Sequence, residues 1–228
     1  MSSEPARKVL KVLMLHGHGQ SGSFFFYKTR HIRQAVESTV LRAKCTPKYD
    51  DVEFIYPNGA LPAGVRGTID TWAWGYGDFQ DGLVHGLEKT VDAILSLMKR
   101  HGPFDGIIGF STGATVTAII VSLLERGNRC DSLRVETPQP PPRFAICFSG
   151  FKLGHLNYQS LYEPQIQTPI LHFIPHLDTM ITEELTQQLA AACSRTIVQY
   201  FEGTHHVPRD AGSVEAIEFF IRSCLNLS

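Results

Sequence analysis

The sequence lacks the features that mark several classes of protein. It has five cysteines, an odd number without a C-x-x-C pair, so neither a disulfide framework nor a zinc site is expected. Basic and acidic residues nearly balance, at 21 and 22, which argues against binding to nucleic acid or to a membrane surface. No apolar run reaches the ~18 residues of a membrane span, and the charged start has no secretory signal core behind it. These absences predict a reduced, cytoplasmic protein without a metal ion.

What the sequence does contain is an alternation of strand and helix patterns. Short apolar runs predict six strands, and the amphipathic or apolar stretches between them predict helices. The predicted strands are 8–15, 51–56, 104–108, 143–149, 169–174 and 195–201. Such an alternation predicts an α/β protein with a mostly parallel sheet of about six strands and helices on both faces. We expect one domain over residues 1–228, without a separate lid domain.

The third predicted strand runs into a G-x-S-x-G motif at Gly109–Gly113, and an apolar stretch from Ala114 to Glu125 follows it. Strand, sharp turn and helix are the setting of a nucleophile elbow, in which the turn exposes the serine above the strand end. The same pattern can arise by chance, but the strand and helix around it favour Ser111 as a nucleophile. The N–H of Thr112, at the helix start, would then face developing negative charge.

A second motif, His16-Gly-His-Gly19, ends the first predicted strand. In many acyl-transfer hydrolases, a strand followed by H-G-x-G and a helix supplies the second oxyanion donor, from the N–H of the residue after His-Gly. Here that residue is His18. A glycine-rich turn that only closes a βα unit is the alternative. Three consecutive phenylalanines, Phe24–Phe26, follow. They cannot all face one core, so at least one is free to line a pocket.

An aspartate and two histidines follow later predicted strands. Asp178 follows the fifth strand, and His205 and His206 follow the sixth. Because the carboxyl ends of parallel strands meet at one edge of a sheet, we expect these side chains beside the elbow serine. The chain order Ser, Asp, His is that of the α/β-hydrolases. Glu183 or Glu184 is the alternative acid.

The segment Pro57–Gly86 departs from the alternation. About thirty residues with little periodicity in a compact domain are usually functional or disordered, and the aromatic residues here disfavour disorder. They include Trp72, Trp74 and Tyr76. We expect a loop that covers substrate, with these three side chains in a pocket for an apolar acyl chain. A purely structural Ω-loop is the alternative.

Several stretches across nearly the whole chain resemble one family. They are LMLHGHGQSGSFF, EFIYPNGAL, FDGIIGFSTGA, LHFIPHLD and GTHHVP, and they are similar to the FSH family of serine hydrolases, a compact branch of the α/β-hydrolases. The resemblance implies Ser111, Asp178 and His205 as a catalytic triad, and esterase or thioesterase chemistry without a cofactor. The family pattern G-G-H-x-V-P leaves His206 as the variable position, and Thr204 replaces its second glycine.

The resemblance also suggests a substrate. Some family members act in fungal polyketide pathways and release an acyl chain from the carrier of a synthase. The favoured expectation is therefore an acyl thioesterase that releases a polyketide-type chain, with the acyl carrier domain of a polyketide synthase as partner. A carboxylesterase acting on small esters and a non-catalytic binding protein with this fold are the alternatives. An intact Ser, Asp and His argue against the last, since a binding module does not need all three.

Overall fold

Six parallel strands form the central sheet of the protein in a computed structural model, which describes residues 7–42, 48–64, 70–126 and 138–227. The strands of the chain are β1 (Val9–Leu15), β2 (Asp51–Ile55), β3 (Leu61–Pro62), β4 (Trp72–Ala73), β5 (Gly106–Phe110), β6 (Phe144–Phe148), β7 (Ile170–Pro175) and β8 (Thr196–Phe201). The sheet has the order β2-β1-β5-β6-β7-β8, and β3 and β4 pair antiparallel outside it. The predicted parallel sheet of six strands is confirmed.

In the described ranges, six α-helices connect and cover these strands. They are α1 (Gly22–Lys28), α2 (Arg30–Leu41), α3 (Leu87–His101), α4 (Thr112–Arg126), α5 (Glu183–Ala191) and α6 (Ala211–Leu225). A short 3-10 helix, Leu156–Leu161, precedes β7. None of the helices among the described residues is long and apolar enough to cross a membrane.

The helices lie on both faces of the sheet, as predicted. Successive side chains of a strand point to opposite faces, so β1 sends Leu13 and Leu15 into one buried cluster and Val12 and Met14 into another. The first cluster contains side chains of α3, α4 and α5, and the second contains side chains of α1, α2 and α6. Because both faces are covered, every residue of β5 and β6 is buried. This explains why these strands read as continuous apolar runs.

Helix α1 is an element that the periodicity of the sequence did not assign. Ser21 caps it, because its side chain accepts a hydrogen bond from the N–H of Phe24. Of the three phenylalanines, only Phe25 is buried, whereas Phe24 and Phe26 are exposed. Three consecutive phenylalanines show no alternation of apolar and polar residues with the helical period, so the hydrophobic pattern did not predict this helix. The proline-rich connection was predicted at 127–142, and its residues 127–137 lie outside the described residues.

Candidate active site

Ser111 lies at the sharp turn between β5 and α4. Its φ angle is 55°, in the left-handed region that residues with a side chain seldom adopt. The turn is held on both sides, because the N–H of Ser111 donates to the carbonyl of Phe148 over 2.8 Å, and its carbonyl accepts from the N–H groups of Ala114 and Thr115. A conformation that costs about 1–2 kcal/mol is thus imposed by the neighbouring strand and helix.

The two glycines of the elbow allow α4 to cross the sheet at close range. A Cβ atom at Gly113 would lie 2.3 Å from the carbonyl oxygens of both Leu15 and His16, and one at Gly109 would lie 2.3 Å from the carbonyl oxygen of Gly113. Backbone atoms cannot move aside as a side chain can. Larger residues at these positions would therefore push the helix, and Ser111 with it, away from β1.

The structure brings Ser111, His205 and Asp178 into one chain of contacts. The Oγ of Ser111 lies 2.9 Å from Nε2 of His205, and Nδ1 of His205 lies 2.6 Å from Oδ2 of Asp178. The side chain of Asp178 is fully buried, and its other oxygen accepts from the N–H groups of Met180 and Ile181, each over 2.9 Å. Because an ionised carboxylate can only accept, this contact favours the tautomer of His205 with the proton on Nδ1, which leaves Nε2 able to accept from the serine hydroxyl.

The alternative acids and the alternative histidine lie elsewhere. Glu183 lies 3.8 Å from Nδ1 of His176, and Glu184 is exposed on α5. The ring of His206 packs edge-on against Phe201, with the ring centres 5.4 Å apart. Among the candidates that the sequence left open, the contact geometry therefore joins Asp178 and His205 to the serine.

The loop after β1 passes directly beside the nucleophile. A Cβ atom at Gly17 would lie 3.5 Å from Cβ of Ser111 and 2.8 Å from the ring of Phe110, so only glycine fits there. His18, the next residue, is exposed. Thr112 is the first residue of α4, and its N–H is one of the four that a helix leaves without an internal partner. The donor roles of His18 and Thr112 remain a prediction.

Buried hydrogen bonds fix this loop from below. The N–H of Gly59 donates to Nε2 of His16 over 3.0 Å, and Nδ1 of His16 lies 2.7 Å from the carbonyl oxygen of Gly17. Since an N–H can only donate, Nε2 carries no proton, and Nδ1 is the donor of the second bond. Burial lowers the pKa of His16 to about 4, so the ring is neutral and both nitrogens are satisfied.

Trp74 belongs to this support rather than to a pocket wall, which corrects the expectation from the sequence. Trp74 is 1% exposed, and its Nε1 donates to the carbonyl of His16 over 2.7 Å. The centres of the Trp74 and His16 rings are 4.7 Å apart. A side chain buried in this way cannot contact a substrate that enters from solvent.

Trp72 and Tyr76 lie at the surface of the same segment. Trp72 is partly buried, its Nε1 donates to Asp70 over 2.6 Å, and its backbone N–H donates to the carbonyl of Gln20 over 2.8 Å. Tyr76 is 40% exposed, and its hydroxyl donates to the carbonyl of Pro62. The segment Pro57–Gly86 thus pairs through Trp72 with Gln20 in the loop after β1. Its residues 65–69 lie outside the described part of the chain.

An open cavity of about 610 Å³ lies against the outer side of the same loop. Its lining includes His18 and Gly19 from the loop, Phe24 and Tyr27 from α1, and Asp70. This volume is in the range of small-molecule sites, which are typically about 300–1,000 Å³. Phe24 is therefore the one of the three phenylalanines that lines this cavity. Tyr27 joins it from the next turn of a helix that the sequence pattern did not reveal.

The parallel sheet, the elbow and the position of the contact chain at the carboxyl edge define an α/β-hydrolase. The solved structure of Zea mays acyl-protein thioesterase 2 is similar in fold, with a TM-score of 0.64 over 98% of this chain and 97% of that chain. The two sequences are only 14% identical, so this likeness establishes the fold alone.

A family model described as "Serine hydrolase (FSH1)" matches residues 2–217, and the chain belongs to this family of hydrolytic enzymes. Family of serine hydrolases 2 from Saccharomyces cerevisiae is 32% identical, over 90% of this chain and 95% of its own length. Esterase OVCA2 from Danio rerio is 30% identical, over 93% of this chain and 96% of its own length. The chain spans about half, 51%, of an uncharacterized hydrolase from Schizosaccharomyces pombe that it also matches. The resemblance to the FSH family is confirmed, and so is the expectation of a serine hydrolase.

Proposed function

We propose that the protein hydrolyses an ester or a thioester through an acyl-enzyme on Ser111, with His205 as the base and Asp178 as the residue that orients it. The observation that carries the proposal is the continuous contact chain from Oγ of Ser111 through both ring nitrogens of His205 to the buried carboxylate. A hydroxyl is a weak nucleophile at neutral pH and needs such an adjacent base.

In the first half of the proposed reaction, Nε2 of His205 accepts the proton of Ser111 while Oγ forms a bond to the substrate carbonyl carbon. The imidazolium that forms is stabilised by Asp178, which does not itself take the proton. His205 then gives this proton to the leaving alcohol or thiol as its bond to the carbonyl carbon breaks. An acyl ester on Ser111 remains.

In the second half, water replaces the leaving group. His205 accepts a proton from the water, whose oxygen attacks the acyl carbon, and returns that proton to Oγ of Ser111 as the free acid departs. In both halves we assign the stabilisation of the tetrahedral oxyanion to the N–H groups of His18 and Thr112. Removing one such donor typically costs about 10²–10³ in kcat.

For the substrate, we propose an acyl thioester, with release of a polyketide-type chain from an acyl carrier domain as the favoured reaction. The cavity beside the site, with Phe24 and Tyr27 in its wall, supports an apolar acyl chain, and the family resemblance supports a carrier as its source. The three described cysteines, Cys147, Cys193 and Cys224, are free thiols. That fits a reaction in the reducing cytoplasm. A carboxylesterase for small esters is the second candidate, favoured by the esterase relative.

One experiment compares these two substrates directly. The purified protein is given the same acyl chain on an acyl carrier domain, as an N-acetylcysteamine thioester and as an ethyl ester, with Ser111→Ala as the control. The proposal predicts a kcat/KM for the carrier-bound chain well above that of both small substrates. Equal values for the carrier-bound and free thioesters would show that the carrier is not recognised, and would favour the small-ester enzyme.

A further inference from the structure

Two positive charges lie on the His205 side of the site. Lys28 is the last residue of α1, and its Nζ lies 3.7 Å from the ring centre of Phe110. The Phe110 ring in turn lies 4.8 Å from the ring of His205, so a single aromatic ring separates the ammonium from the proposed base. The second charge is Arg209, an exposed residue four positions after His205, whose charge contributes to lowering the pKa of Lys28.

Neither cation has an acidic partner in the described parts of the chain. The ion pairs found there involve Arg7, Lys11, His176 and His205, but neither Lys28 nor Arg209. Burial, and secondarily the charge of Arg209, lower the pKa of Lys28 to about 8. The Phe110 ring attracts the ammonium by a cation–π contact, but it does not neutralise the charge. A partly buried cation beside a second cation is unfavourable until an anion joins them.

We propose that Lys28 and Arg209 form an anion subsite, which binds a carboxylate or phosphate group carried by the substrate. The inference rests on the proposed function, because it assigns a specificity element to the same site. Phe24, Tyr27 and Lys28 are spaced for one face of α1, so the face of the helix that lines the cavity with Phe24 and Tyr27 also carries the ammonium of Lys28. Since the Phe110 ring contacts both the ammonium and the ring of His205, this subsite would adjoin the proposed active site.

The anionic group could belong to either half of the substrate, and two pairs of compounds distinguish the halves. For the leaving group, 4-acetoxybenzoate is compared with phenyl acetate. For the acyl group, mono(4-nitrophenyl) succinate is compared with 4-nitrophenyl butyrate. In each pair the ratio of kcat/KM, charged over neutral, is measured for the wild type and for Lys28→Met, Arg209→Gln and the double variant. Comparing ratios cancels the intrinsic reactivity of each compound.

We expect the charged-over-neutral ratio to fall roughly tenfold in at least one pair, since a hydrogen bond to a charged group is lost. Lys28→Arg should restore much of that ratio, and added salt should reduce the difference between wild type and variant. Lys8→Met is the matched control, because Nζ of Lys8 also lies over an aromatic ring, Tyr49, but at the opposite edge of the sheet.

The proposal is overturned if the ratios of both pairs are the same in the wild type and in the double variant. This outcome is separate from a failure of the proposed function. Hydrolysis of the neutral esters, lost in Ser111→Ala, reports on the nucleophile whatever the charged compounds show. Circular dichroism and the rate of labelling by a neutral fluorophosphonate check that each variant is folded and keeps a reactive serine.

Discussion

The indole of Trp74 holds the backbone of His16, since Nε1 of Trp74 donates to the carbonyl of His16 over 2.7 Å and the two rings are in contact. His16 begins the loop that passes Ser111 and carries His18. The segment Pro57–Gly86 therefore supports the site indirectly, because its Trp74 fixes the loop that passes Ser111.

A first prediction concerns this support. Trp74→Phe should lower the free energy of unfolding by about 1–3 kcal/mol, because the buried carbonyl of His16 loses its donor. Since the loop would be less well fixed, kcat should fall more than KM rises. Trp72→Phe is the matched control, because its indole donates to the exposed Asp70. Urea unfolding and steady-state kinetics would measure both effects, and equal losses in the two variants would contradict the assigned role of Trp74.

A second prediction separates the neighbouring histidines. His205→Ala should lower kcat by several orders of magnitude, whereas His206→Ala should keep most activity because its ring packs on Phe201. The reverse result would move the base by one residue. The measurement is kcat on a 4-nitrophenyl ester at saturating substrate.

A third prediction concerns the acid that orients the base. In Asp178→Asn the amide oxygen can still accept from Met180 and Ile181, so its NH₂ group would face Nδ1 of His205. That arrangement favours the wrong tautomer, and the expected loss in kcat is roughly 10⁴-fold. A loss of less than tenfold, with the fold intact by circular dichroism, would show that Asp178 does not orient the base.

The features of the fold and site that the sequence predicts are those with a local residue pattern. The apolar strand runs and the glycines around Ser111 carry their own signal, because burial on both faces and the close crossing of α4 constrain residue type directly. The position of Trp74 could not be predicted, since a segment without periodicity does not reveal which aromatic side chain is buried. The contact of Lys28 with Phe110 could not be predicted either, because the two residues are distant in the chain.

A fourth prediction concerns the acyl chain. Phe24→Ala should reduce kcat/KM more for octanoyl than for acetyl esters, because each buried CH₂ contributes about 0.8 kcal/mol. Phe26→Ala is the control on the same helix, since this ring contacts Tyr56 and Arg33 instead. A 4-nitrophenyl ester series from two to twelve carbons would measure the effect. If the two variants lose the same factor at every length, the cavity is not the acyl pocket.

A fifth prediction concerns stability in acid. His172 in β7 is fully buried, neither ring nitrogen has a partner among the described residues, and burial lowers its pKa to about 3. The folded protein thus holds this ring neutral, while the unfolded chain takes up a proton below about pH 6.5. Above about pH 6.5 the His172 ring is neutral in both states, so it does not make the free energy of unfolding depend on pH. As pH falls toward 3, it should cost roughly 1.4 kcal/mol of stability per pH unit.

The variant His172→Leu removes this group, so its unfolding free energy should fall less steeply between pH 6 and pH 4 than that of the wild type. His101→Gln, at an exposed position, should leave the slope unchanged. Urea unfolding at each pH measures the slopes. Parallel curves for His172→Leu and the wild type would mean that the buried ring does not govern this pH range.

The central claim is that Ser111 is the covalent nucleophile, and the most direct test is to find the residue that a fluorophosphonate modifies. Peptide mass spectrometry of the labelled protein should place the adduct on Ser111. Labelling should disappear in Ser111→Ala, while the melting temperature stays close to that of the wild type. Ser149, the other serine with a left-handed backbone in the described part of the chain, at φ 49°, is the internal comparison. An adduct that persists in Ser111→Ala, on Ser149 or elsewhere, would contradict the account.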